Sequence, residues 1–285
     1  MIKYIGRGGE IVLDRLPYVL RFHDFLGYEW FYTETPQLDL RGSVVHSFRR
    51  SSRLYMASLT VAEQPGSAPL HELINRFASI TEPDILAEQP GKLYVGDDYL
   101  LCYITVNSKA DFNRTGKHVQ VELTILAPHP VWFRTAEFSY FPGGGTQTTA
   151  GKKYPLQYPY KYAFDGTDQM YDNDHYAPAL ARIIIYGHAE NPQFSIDGHV
   201  YLVNDTVQSG ERIEIDQLAR TVVKVYANGS RENIFGKRGK QYSVFEPLPP
   251  GKHMLVSSGA FGIDIKLFQE RSEPEWKSSM LMPTW

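Results

Sequence analysis

Between Tyr186 and Asn228 apolar side chains recur at every second position, as Phe194 and Ile196, Val200 and Leu202, Ile213 and Ile215, and Val223 and Val225. That period sends successive side chains to opposite faces of an extended chain, so one face is buried and the other is wet. Asp197-Gly198, Gln208-Ser209-Gly210 and Asn228-Gly229 break the runs with residues that tolerate the left-handed and turn conformations needed to reverse a strand. The stretch predicts a series of short antiparallel strands, the core of a β-sandwich. Residues 182–186, 253–256 and 263–268 add strands to it, the last two reached through the turn Leu248-Pro249-Pro250-Gly251.

The first half alternates in the same way but holds one helical pattern. Residues 4–5 and 11–13 flank a Gly6 to Gly9 turn, Leu38 and Leu40 pair with 43–48 around Arg41-Gly42, and 54–61 is a further strand. Over 69–80 the period changes: Leu70, Leu73, Ile74, Phe77 and Ile80 share one helical face, with Pro69 in the first turn and Ser67 as a cap. Residues 94–104, turning at Gly96-Asp97-Asp98, and 119–126 return to strands. The order predicts an α+β domain over 1–134 with its helix covering a sheet. From 135 to 178 the composition shifts to GGGTQTTAGKK and a tyrosine-rich run held extended by Pro155 and Pro159, either an arm at a subunit contact or a plain linker. The sandwich domain spans 179–285, its tail SEPEWKSSMLMPTW being a docked extension or a helix turn.

Composition narrows the function classes. Lys plus Arg number 29 against 32 Asp plus Glu, a formal charge of −3, which gives no electrostatic reason to expect nucleic-acid binding. The single cysteine, Cys102, cannot form an intramolecular disulfide and points to assembly in a reducing cytoplasm. Arg7, Glu10, Asp14 and Arg15 break up the N-terminal apolar residues, and no run approaches the roughly 20 residues of a membrane span.

Clusters with the look of chemistry have a plainer reading. Asp165, Asp168, Asp172, Asp174 and His175 crowd together, but their spacing is not that of an EF-hand loop, which favours solvated loop carboxylates. His188 and His199 lack the cysteine or His-x-x-x-His partner that zinc would use. Cys102 lies in an apolar strand pattern and reads as an inert buried thiol. Glu211, Glu214 and Asp216 could pose as a glycosidase carboxylate pair, yet Glu214 alternates with Ile213 and Ile215 as a solvent-facing strand residue does. The basic loop Arg49-Arg50-Ser51-Ser52-Arg53 lacks the glycine-rich strand-to-helix junction of a phosphate loop. No catalytic residue, metal ligand or cofactor site is expected.

NPQFSIDG, GERIEID, RTVVKVYANG and FEPLPPGKHML in the C-terminal third resemble the distal tail proteins of long-tailed bacteriophages, the siphovirus-type tail component family. The matching positions are Asn191 and Pro192, Gly210, Glu211 and Asp216, Thr221 and Val222, and Leu248 to Gly251. In the first half, APHPVW at 127–132 resembles that family's Pro-x-Trp ending of the ring domain, and Tyr158-Pro159-Tyr160 its tyrosine-proline stretch; the long Gly- and Tyr-rich connection is a departure. The resemblance implies a virion protein at the distal end of the tail, assembled in the host cytoplasm, whose N-terminal domains close a hexameric ring. Its galectin-like C-terminal β-sandwich would project outward. The ring would join the tail tube to the baseplate or tip, with the tail-tube protein, a tail-tip hub protein and a receptor-binding protein or fibre as partners, and DNA would pass through the lumen without specific binding. It implies neither enzymatic activity nor a cofactor. A second reading is a carbohydrate-binding module for host cell-surface glycans, with Tyr201 and Tyr226 as stacking platforms.

Overall fold

A computed structural model describes residues 1–37, 42–109, 116–141 and 168–275. The chain forms two compact units, Met1–Arg134 with the segment from Glu270 onward, and Thr135–Gln269. The second unit is thus inserted in the first, and residues 270–275, read in the sequence as part of the sandwich domain, belong with the N-terminal unit.

The first unit runs β1 (Ile2–Gly6), β2 (Gly9–Val12), β3 (Asp14–Arg15), β4 (Tyr18–His23), β5 (Phe31–Pro36), β6 (Ser43–Arg49), β7 (Arg53–Ala62), α1 (Leu70–Leu86), β8 (Gly91–Val95), β9 (Asp98–Ser108), β10 (His118–Ala127) and the start of β11 (Trp132–Tyr140). Strands β3, β4, β7 and β10 lie side by side, and β9 joins them to β8, β1 and β2. The N-terminal half of β9 pairs with β8 and its C-terminal half with β10, with an irregularity at Thr124 and Ile125 where the ladder bends. Leu70, Leu73, Phe77 and Ile80 of α1 are buried in one core with Tyr4, Leu59, Leu93, Leu100 and Trp132. Each such side chain contributes about 1.5–3 kcal/mol.

The helix departs from its prediction at both ends. Ser67 does not cap it; its hydroxyl closes the preceding turn on Gln64, and Pro69 occupies the cap position without a side-chain bond. The helix continues past Ile80 to Leu86 because its last turns bury Thr81 and Asp84, while Ile85 and Leu86 are exposed. Asp84 is 1% exposed and accepts hydrogen bonds from the Tyr4 hydroxyl at 2.6 Å and the Arg7 N–H at 2.7 Å. A Cβ at Gly6 or Gly91 would collide with Asp84 and Tyr4, so glycine lets both segments close on this carboxylate. Burial, and then the bond to Asp84, push the Tyr4 hydroxyl well above its ordinary range, so it stays a donor.

The second unit runs from the end of β11 through β12 (Asp168–Asn173), β13 (Leu180–Tyr186), β14 (Ala189–Glu190), β15 (Gln193–Ile196), β16 (His199–Leu202), β17 (Thr206–Val207), β18 (Arg212–Asp216), β19 (Thr221–Val225), β20 (Arg231–Asn233), β21 (Gly251–Ser257) and β22 (Gly262–Arg271). One antiparallel sheet has the order β20-β19-β18-β13-β22-β11 and faces a second of order β12-β21-β15-β16. Ile183, Ile185, Ile213, Ile215, Ile263 and Ile265 of the first meet Tyr171, Phe194, Ile196, Tyr201 and Leu255 of the second in one core, the predicted β-sandwich. Strand β12 occupies part of the stretch read as a linker; Pro155, Pro159 and most of its tyrosines lie outside the described residues, as do Leu38, Leu40 and the end of the tail.

All three predicted turn glycines have positive φ, Gly198 at 84°, Gly210 at 84° and Gly229 at 83°, and Asp197 joins them at 46°. One strand and part of a second nonetheless face opposite to their predicted sense, while Val225 is buried as expected. The two-residue Asp197-Gly198 loop pairs Phe194 with Tyr201 and Ile196 with His199. Directly opposed residues share a face, so Tyr201 points inward and Val200 and Leu202 are only half-buried. In β19 the same rule pairs Val222 with Ile215 and Lys224 with Ile213, burying both in place of Val223. Lys224 is accommodated by the Thr206 carbonyl at 2.6 Å and Glu211 at 3.0 Å.

The irregular chain between β20 and β21 is fastened by buried amides. Gln217 donates to the carbonyls of Val244 and Glu246, Asn173 to those of Leu248 and Pro249, and Gln269 to Asn173 and Asp174. At the Asp197-Gly198 turn, Asp197 accepts from the Met254 N–H at 2.9 Å and sits against the His253 ring. Partial desolvation raises the Asp197 carboxyl, but the Met254 N–H and the His253 ring outweigh it and hold it below the usual carboxylate range.

Replacing Asp84 by Ala strands the buried Tyr4 hydroxyl and the part-buried Arg7 N–H, and at about 1–3 kcal/mol each, with the second toward the lower end, the expected loss is roughly 2–4 kcal/mol in urea unfolding. Because the folded-state pKa of Asp197 lies below the unfolded value of about 3.9, its stabilisation is present above that value and disappears as pH falls through the folded value. The stability gap between wild type and Asp197→Asn is therefore expected to be widest near neutral pH and to shrink in acid. Parallel urea titrations at about pH 7 and about pH 3 measure it.

Candidate interaction surfaces

Every residue of β5 and β6 is exposed, and the two strands form a sheet of their own. Their aromatic and β-branched residues suit strands. Tyr32 opposes Phe48 with ring centroids 6.4 Å apart, Trp30 meets Phe48 edge-on at 6.4 Å, and the Arg50 guanidinium lies 4.1 Å over the Trp30 ring. These contacts hold the hairpin but do not cover it. Phe48 remains 64% exposed, and Phe31, Tyr32, Val44 and Val45 are exposed beside it. A lone two-stranded hairpin is marginally stable in water, and a cluster of exposed apolar residues marks a contact surface.

A second apolar strip lies on the outer face of the β4–β7 sheet. Strand β7 sends Tyr55, Ala57, Leu59 and Val61 into the core and turns Leu54 and Met56 outward, and Phe22 of β4 is exposed on the neighbouring strand. Among the described residues no helix is long and apolar enough to cross a membrane.

The C-terminal unit holds a cavity of about 410 Å³ beside the β15–β16 turn, lined by Asp197, His199, Tyr201, Glu246 and a proline-rich edge. Tyr201 contributes little ring face to it. The side chain is 1% exposed, its ring stacks on Phe194 at 4.9 Å, and its hydroxyl reaches the Glu246 carbonyl at 3.4 Å. Tyr226 lies just past β19, half-buried, with its hydroxyl on Glu232 and Lys224 5.0 Å from its ring centroid. It is not among the residues lining the cavity beside Tyr201, so that cavity does not join the two proposed platforms.

The other candidates are held in local networks. Glu211 accepts from the Gln208 N–H and pairs with Lys224, Glu214 lies between Arg212 and Arg231, and Asp216 pairs with Arg182 at 2.9 Å. The Gln208 N–H and Lys224 lower the Glu211 carboxyl; for Glu214 desolvation raises it, but the two arginines prevail and lower it. A general acid needs the opposite shift. His199 bonds the Ser243 carbonyl at 2.8 Å, His188 is exposed, and no group of three or more potential metal ligands occurs among the described residues. Asp174 accepts from Gln269, His175 is buried against Tyr176, and Asp165 lies outside the described residues. Cys102 is fully buried, which pushes its thiol up and keeps it protonated. The hairpin was the surface that sequence reasoning missed: its first strand is written in Phe31-Tyr32-Thr33, but the pairing was assigned to Leu38 and Leu40.

No family model and no curated protein sequence matches this chain. Its fold does match solved structures. The SPP1 Dit (gp 19.1) protein, described as a paradigm of the hub adsorption apparatus in phages infecting Gram-positive hosts, aligns with a TM-score of 0.61 at 11% identity over 95% of this chain and 99% of that one. A chain of the phage P2 baseplate in its activated conformation with Ca aligns with a TM-score of 0.60 at 11% identity, over 96% of this chain and 99% of that one. The same baseplate with Sr gives 0.58 at 11% identity, over 96% and 100%. From end to end, the chain has the fold of these phage hub and baseplate proteins.

Proposed function

We propose that this chain is a structural, non-enzymatic subunit at the distal end of a long-tailed phage tail, a hub joining the tail tube to the baseplate or tip. The observation that carries this reading is the β5–β6 hairpin, an arm whose aromatic side chains are exposed in the single chain. The full-length fold likeness to a hub protein and to baseplate chains supports it. A closed ring needs a heterologous contact, in which one surface projects and a different surface receives it. The hairpin supplies the first, and the strip of Phe22, Leu54 and Met56 the second. Both lie in the N-terminal unit, which makes that unit the ring former. In this reading six copies close the ring, the galectin-like sandwich projects outward, and the tail-tube protein, a tail-tip hub protein and a receptor-binding protein or fibre dock on it. DNA passes through the lumen without specific binding, and the formal charge of −3 suits that passage. Assembly takes place in the host cytoplasm and the protein ends in the virion tail.

Native mass measurement is expected to give a species six times the 32.5 kDa chain, alone or with tail-tube protein. Replacing both Tyr32 and Phe48 by Ser is expected to dissociate it to monomers; it loosens the hairpin these rings hold but leaves the melting temperature of the N-terminal core unchanged, because neither side chain packs in that core. A wild-type chain that stays monomeric with its tail partners, or a variant that keeps the full assembly, overturns the reading.

The cavity beside Tyr201 favours a second reading, the carbohydrate-binding module. Its size and its mix of carboxylates, imidazole and prolines suit a sugar ring. The discriminating variant is Glu246→Ala, which trims a rim side chain and keeps the buried Tyr201. Specific binding on a glycan array that this variant abolishes would favour the sugar module; an array with no specific signal removes it.

A further inference from the structure

The basic loop Arg49 to Arg53 is not absorbed by either reading. Its residues 50–52 link β6 to β7 at the base of the hairpin, where Tyr28, Arg50, Ser51, Ser52, Arg53 and Ser272 enclose a small cavity of about 60 Å³. Both guanidinium groups there are fixed by contacts that use only part of their donors. Arg50 stacks on Trp30 at 4.1 Å and donates from Nη2 to the Ser272 hydroxyl at 2.9 Å. Its Nε is buried and has no acceptor among the described residues. Arg53 stacks on Tyr55 at 4.6 Å and donates from Nη1 to the Gly27 carbonyl at 2.7 Å. No ion pair of either arginine occurs among the described residues; the acidic side chain lining the cavity is Glu29, which is exposed at its rim.

A stacked guanidinium is a pre-organised fork of donors that loses little freedom on binding, and forks of this kind match the oxygens of phosphate and carboxylate. Ser51 and Ser52 add two exposed hydroxyls that can donate. The space of about 60 Å³ admits one small anion. We infer that Arg50, Arg53, Ser51 and Ser52 form a binding site for a single phosphate-sized oxyanion at the root of the hairpin. The bound anion bridges the β6–β7 loop to the segment carrying Ser272 and sets the base from which the arm projects.

The test uses the full chain and inorganic phosphate as probe, with sodium chloride at matched ionic strength as control and acetate to separate a tetrahedral oxyanion from a planar carboxylate. Calorimetry is expected to give saturable binding near one phosphate per chain, with a rise in melting temperature that chloride does not produce. Arg50→Lys, which keeps the charge but loses the fork, is expected to weaken phosphate binding at least tenfold. Since Arg50 also contributes packing, the double variant Ser51→Ala, Ser52→Ala provides an independent check on exposed side chains and is expected to weaken it severalfold with an unchanged melting temperature. Absence of saturable phosphate binding, tighter binding of acetate than of phosphate, or equal affinity in wild type and both variants overturns the inference. None of these outcomes depends on whether the chain forms a ring.

Discussion

A hairpin of two strands has water on both of its faces and cannot shelter its own apolar side chains. Strands β5 and β6 nevertheless carry Phe31, Tyr32, Val44, Val45 and Phe48, and this mismatch between what the arm exposes and what it can bury is the constraint on which the N-terminal unit turns. Covering one such side chain contributes about 1.5–3 kcal/mol, so a contact that covers several can outweigh the entropy of fixing two partners. In a closed ring the same contact repeats at every interface, and losing it from one subunit opens the whole. Under the proposed ring, hydrophobicity that is a liability on a lone monomer would make closure cooperative.

Such an arm is useful only on a base that does not yield, and buried polar groups supply the rigidity. Asp84 collects the Tyr4 hydroxyl and the Arg7 N–H, locking the β1–β2 turn to the end of α1. In the second unit Gln217 and Asn173 do the same for the long irregular stretch before β21. A hydrogen bond of this kind adds only about 0.5–1.5 kcal/mol, while an unmade one costs about 1–3. The asymmetry penalises alternative arrangements more than it rewards the native one. Directional groups are therefore placed where the chain is least regular, and the apolar core supplies the bulk of the stability.

The sandwich was readable because a period of two and glycine-marked turns are local signals, and Gly198, Gly210 and Gly229 took the conformations those signals require. Which face went inward was not local. A two-residue loop forces Phe194 opposite Tyr201, so the hydrophobic count favoured Val200 and Leu202 while the turn geometry buried the tyrosine. That one step of register also explains why Tyr201, chosen as an exposed platform, turned out to be core. Helix α1 ran six residues past its predicted end for a related reason: its last turns bury Thr81 and Asp84, and a search for apolar periodicity passes over buried polar residues. The amide clamps left no pattern, because an Asn or Gln reveals its partner only when distant segments meet.

Where the sequence crowds carboxylates in and beside β18, the folded chain pairs them. Glu211, Glu214 and Asp216 each meet a Lys or Arg; the Gln208 N–H and then Lys224 lower the Glu211 carboxyl, and the two arginines outweigh desolvation to lower that of Glu214, away from the range in which they could donate a proton at neutral pH. An acid in catalysis is typically made by withholding such partners and burying the group in apolar surroundings. The same economy applies to Cys102, whose burial removes the thiolate a nucleophile requires. The apolar side chains of the arm, by contrast, stay exposed, and the Arg50 Nε at its root has no acceptor among the described residues. The exposed aromatic and aliphatic side chains of the arm form a surface suited to holding a neighbour.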